Sequence, residues 1–75
     1  MTRYKNLGGK SEVARYEIAK DSVTVKFATQ RVYRYSNQSA GPGNISQMKT
    51  LAVAGKGLGT FINANVKERF SRKVR

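Results

Sequence analysis

Between residues 13 and 36 the chain passes three times through an alternation of period two, the pattern of a half-buried strand. VARYEI, Val13 to Ile18, sets Ala14, Tyr16 and Ile18 on one side and Val13, Arg15 and Glu17 on the other. VTVKFAT, Val23 to Thr29, turns Val23, Val25 and Phe27 one way and Thr24 and Lys26 the other. RVYRYS, Arg31 to Ser36, divides Arg31, Tyr33 and Tyr35 from Val32, Arg34 and Ser36. Only Ala19-Lys20-Asp21-Ser22 and Thr29-Gln30 separate the three runs, connections short enough for hairpins. A three-stranded antiparallel meander is the expected product.

The alternation stops at Asn37-Gln38-Ser39-Ala40-Gly41-Pro42-Gly43-Asn44, a stretch of loop-forming residues with the chain's single proline. Asn44 stands at an N-cap position, and Ile45, Met48, Leu51 and Ala52 follow at helical spacing up to Gly55. Beyond Gly55-Lys56-Gly57-Leu58-Gly59, Thr60 can cap a second helix in which Phe61 or Ile62 shares a face with Val66 and Phe70, while Lys67, Arg69 and Lys73 face water. The predicted fold is α+β, in the order β-β-β-α-α, with two short helices packed on one face of the sheet. Residues 1–10, polar around Gly8 and Gly9, read as a flexible basic arm, 11–70 as the domain and 71–75 as a basic tail.

At 75 residues the chain makes one domain with a thin core, and with no cysteine neither disulfides nor a zinc knuckle can staple it. No apolar run reaches the roughly 18 residues that cross a bilayer, and MTRYKNLGGKSE lacks a signal peptide's apolar segment. A cytoplasmic protein without membrane contact is expected.

Enzyme chemistry finds little to work with. Histidine and cysteine are both absent, which removes the usual general base, the thiolate nucleophile and the common transition-metal ligands. Glu12, Glu17, Asp21 and Glu68 are the four acids, and no partner at a catalytic spacing completes any of them. No catalytic residue, metal, cofactor or small-molecule substrate is expected. Gly55-Lys56-Gly57-Leu58-Gly59-Thr60 has the glycines of a phosphate loop but neither the Walker spacing nor a preceding strand. Helix termination and close approach of two helices explain it better, with Lys56 and the amides near Thr60 left to hold at most one backbone phosphate.

Against those four acids stand 15 lysines and arginines, a net charge of +11. So one-sided a balance favours a polyanionic partner over a mere solubility surface, which mixes both signs. Arg31 and Arg34 on the third strand, Lys56 in the glycine loop, and Lys67, Arg69 and Arg72 near the C-terminus are the expected nucleic-acid contacts. About six such contacts on a duplex imply a log–log salt slope near −5. Tyr33 and Tyr35 are either a stacking pair for bases or core; few other large apolar residues are present to fill a core, so packing is the stronger reading, with the hydroxyl edge wet.

Phe27-Ala28-Thr29-Gln30-Arg31-Val32-Tyr33-Arg34-Tyr35 resembles the central signature of the KTSC domain, a module of the C-terminal part of some lysyl-tRNA synthetases that also occurs alone in bacterial and phage-related proteins. Its hallmark Tyr-x-Tyr pair is here Tyr33 and Tyr35. Tyr16-Glu17, Val23 to Phe27, and Gly59-Thr60-Phe61-Ile62-Asn63 with Val66 extend the likeness over roughly residues 11 to 70. Gln30 stands where the family usually turns on glycine, and Gly57 where it usually has serine, so no role of that serine carries over. The resemblance implies RNA before DNA as the partner. The alternative is a protein-interaction module, such as a phage-borne factor that binds and modulates an acidic host protein or a nucleic-acid enzyme.

Overall fold

The computed structural model describes residues 1–7, 9 and 11–73. Strands β1 (Thr2–Arg3), β2 (Val13–Ile18), β3 (Ser22–Phe27), β4 (Val32–Ser36) and β5 (Arg72–Lys73) form one antiparallel sheet in sequence order. The predicted meander is its centre, and the two-residue strands β1 and β5 add to its edges. Helices α1 (Asn37–Ala40), α2 (Pro42–Ala54) and α3 (Leu58–Phe61) lie between β4 and β5, and α3 runs on into a π-helical turn, Ile62–Val66. The class is α+β, and among the described residues no helix is long and apolar enough to cross a membrane.

Alternation decides which side of the sheet is covered. Val23 pairs with Tyr35, and Val25 with both Tyr16 and Tyr33, so these side chains share the face that the helices bury. Val23, Val25 and Tyr35 meet Ile45, Met48, Ala52, Leu58, Ile62 and Val66 there, with Tyr16, Phe27, Tyr33 and Phe70 around the rim. Val13 departs from the expected face. The β2 register passes from Val13↔Phe27 to Arg15↔Lys26, so Ala14 is an extra residue in a β-bulge and Val13 turns into the core.

The predicted N-terminal arm is part of the fold. Thr2 and Arg3 pair with Tyr16 and Arg15, and the amide of Leu7 donates to the carbonyl of Gly55 at 2.7 Å. Tyr4 is 3% exposed, edge-on to Tyr16 at 6.4 Å, and its hydroxyl accepts the amide of Leu58 at 3.2 Å. That amide opens α3 and has no acceptor within its own helix, so a buried phenol from the far end of the chain satisfies it. Gly8 and Lys10 of the predicted arm, and Val74 and Arg75 of the predicted tail, lie outside the described residues.

Two helix boundaries also move. Ser36 caps α1 in a reciprocal box with Ser39, whose hydroxyl accepts the amide of Ser36 at 3.0 Å, so the supposed loop begins with a helical turn. Pro42 occupies the first turn of α2, and Asn44, inside the helix instead of capping it, donates its side-chain amide to the carbonyl of Ala40 at 2.7 Å. At the other end, Gly57, not Thr60, precedes α3. The helix expected to carry Phe70 and Lys73 ends after Val66. The open edge of β4 competes for the chain that follows, since the amide and hydroxyl of Ser71 both donate to the carbonyl of Arg34, at 2.7 and 3.0 Å. Arg72 and Lys73 therefore stand in an edge strand, opposite Arg34 and Tyr33, in place of a free tail.

Candidate nucleic-acid interface

The face turned away from the helices carries the long cations. Arg3 is directly opposite Arg15, Arg15 is opposite Lys26, and Arg34 lies opposite Thr24, two residues along β3 from Lys26. Directly opposed residues and residues two apart point the same way. Arg3, Arg15, Lys26 and Arg34 thus form a stripe over four consecutive strands, about 14 Å across at roughly 4.8 Å per strand. Arg3, Arg15 and Arg34 are exposed and Lys26 is partly buried. Glu17, opposite Thr24, is the carboxylate on this face. Val32, opposite Lys26, is only 8% exposed although it takes no part in the core cluster. Lys26 across the ladder and Arg34 two residues on flank it, and the methylene stems of such side chains suit that covering role.

Like charges set directly opposite each other in a sheet are unfavourable. Here that arrangement occurs twice in succession, Arg3 with Arg15 and Arg15 with Lys26. An anion laid over the stripe relieves both.

The tyrosine side is different in kind. Tyr33 and Tyr35 line a cleft of about 520 Å³ that also has Arg31 and Lys67, but Glu12 and Glu68 share it and balance the charge. Tyr35 is 1% exposed, and burial, helped by the neighbouring Tyr33, pushes its hydroxyl up to about 12. Tyr33 has its ring 4.7 Å from that of Phe70 and 5.8 Å from that of Phe27. The rings are engaged with each other and with the core, which is the packing role.

The six basic positions singled out in the sequence are therefore dispersed. Arg34 joins the stripe, and Arg72 stands beside it in register. Arg31 and Lys67 lie on the cleft, and Arg69 sits exposed in the turn after Val66, where its amide donates to the Val66 carbonyl. Lys56 lines a separate hollow with Tyr4, Glu12 and Asn63. The glycine loop around it is occupied by structure: the amide of Gly55 closes α2 on Leu51 and Ala52, and Tyr4 takes the amide of Leu58. Arg3 and Arg15 were not foreseen as contacts. Arg15 was legible as an outward residue of its strand, but only the pairing of β1 brings Arg3 beside it.

Comparison with known proteins gives no match: no family model, curated protein or solved structure is similar to the chain.

Proposed function

We propose that the protein is a small non-enzymatic nucleic-acid-binding protein that takes hold of phosphates through the open face of its sheet. The observation that carries this reading is the stripe of Arg3, Arg15, Lys26 and Arg34, in which Arg3 opposes Arg15 and Arg15 opposes Lys26 on adjacent strands. The aromatic rings are on the covered side, so the stripe offers phosphate contacts without base stacking, and the binding is tolerant of sequence. RNA comes before DNA on the strength of the KTSC resemblance of residues 11 to 70.

Four phosphate contacts give a log–log salt slope near −3 on single strands, shallower than the six-contact expectation. Fluorescence anisotropy against single- and double-stranded RNA and DNA, in a salt series, measures it. Arg15→Ala and Lys26→Ala are each expected to weaken binding to all sequences alike and to reduce the slope by about 1. No binding to any of the four at low salt overturns the proposal. A salt-resistant complex with a single acidic protein would instead favour the interaction-module reading.

A further inference from the structure

We propose that Phe70 and Ser71 are positioning residues for Arg34, so that the C-terminal segment tunes nucleic-acid binding from outside the contact surface. The inference rests on the reading that the open sheet face binds phosphates. Of the four strands that carry the stripe, β4 is the one whose outer neighbour is the C-terminal segment, and that pairing is short. Its inner neighbour β3 pairs with it from Ser22↔Ser36 to Lys26↔Val32, whereas β5 pairs with it only at Tyr33↔Lys73 and Arg34↔Arg72.

At that point two contacts converge on adjacent residues. Both the amide and the hydroxyl of Ser71 donate to the carbonyl of Arg34. One residue earlier, the partly buried Phe70 lays its ring 4.7 Å from that of Tyr33, the residue preceding Arg34, on the helix-covered face. The backbone of Arg34 is clamped in the plane of the sheet while its neighbour is held from behind, and the guanidinium is left exposed on the phosphate side. A cation on a fixed backbone loses less freedom when it binds than one on a fraying edge. Arg15 has no such dependence on the C-terminal segment, because the outer neighbour of β2 is β1, at the opposite edge of the sheet from β5.

The test is a double-mutant cycle on binding of a labelled single-stranded oligoribonucleotide, at a temperature where circular dichroism finds every variant folded. Phe70→Ala is expected to weaken binding about three- to fivefold, and Ser71→Ala about twofold, although neither side chain touches the phosphates. Ser71→Thr keeps the hydroxyl and the amide, and binds like the parent. In an Arg34→Ala background the effect of Phe70→Ala disappears; in an Arg15→Ala background it persists in full. An equal effect in both backgrounds marks general loosening of the fold and overturns the positioning role. So does an unchanged affinity of Phe70→Ala and Ser71→Ala while Arg34→Ala weakens binding. If neither Arg34→Ala nor Arg15→Ala changes affinity, the phosphate-binding face itself is refuted, and this inference falls with it.

Discussion

Tyr4 gives the sharpest test of the fold, because composition made its segment a loose arm and the structure makes it core. Two substitutions separate its two contributions. Tyr4→Phe removes only the hydroxyl that accepts the Leu58 amide, and Leu58 is fully buried, so the amide loses its partner without gaining water. An unsatisfied buried donor costs about 1 to 3 kcal/mol. Tyr4→Ala also removes a ring that is 3% exposed and packs edge-on against Tyr16, which brings the loss to about 3 to 5 kcal/mol. A domain of this size has a total stability of roughly 4 to 11 kcal/mol, so the second variant is close to unfolding. Urea titration followed by far-UV circular dichroism reads both as shifts of the midpoint at constant slope. If Tyr4→Ala unfolds within about 0.5 kcal/mol of the parent, the N-terminal segment does not pack and the reasoning is wrong.

Three other outcomes are expected. Gly55→Ala should cost about 2 kcal/mol in the same titration, because Gly55 has φ +76° and an added methyl would sit 2.6 Å from Cβ of Lys5. Gln30, at φ +73° in the turn between β3 and β4, holds a left-handed conformation that glycine adopts without strain, so Gln30→Gly should raise stability by about 0.5 kcal/mol in spite of glycine's larger entropy loss. Tyr35 has its hydroxyl raised from 10.0 to about 12 in the fold, so its contribution is complete below pH 10 and is lost as pH rises to 12. Relative to Tyr35→Phe, the parent should lose about 2 to 3 kcal/mol over that interval in alkaline unfolding curves, a difference from which lysine titration cancels.

How far the sequence could be read depended on whether a signal was local. The strands over 13–36 were legible because each residue's side follows from its neighbour's, and Tyr33, Tyr35 and Arg34 fall on the sides that alternation assigns. Val13 was misplaced because a bulge at Ala14 shifts the phase by one residue, and no residue type in VARYEI marks it. Tyr4 was missed because one aromatic among polar residues has no periodicity; its burial depends on Leu58, 54 residues away. The end of the last helix failed for a related reason. Ile62, Val66 and Phe70 keep helical spacing, yet Phe70 reaches Tyr33 from the irregular stretch before β5 because the edge of β4 holds Ser71. The candidate interface was the least legible part, since cations scattered along the chain become a stripe only through cross-strand register.

That register also bears on whether the stripe needs a functional explanation. Lysine and arginine on a sheet often guard its edges against pairing with another chain. Arg15 and Lys26 are not placed to guard an edge, because they sit on β2 and β3, strands paired on both sides, and belong to the flat of the sheet. Solubility would be served as well by threonine, glutamine or interspersed acids, as Thr24 and Glu17 illustrate on the same face, in the row of Arg34. The fold therefore accepts a repulsion between adjacent strands that it does not require. An anion of extended form can lie along both opposed pairs, Arg3 with Arg15 and Arg15 with Lys26, at once. A phosphate backbone laid across the strands from Arg3 toward Arg34 would meet all four cations in turn, which is the geometry that the proposed function asks of this face.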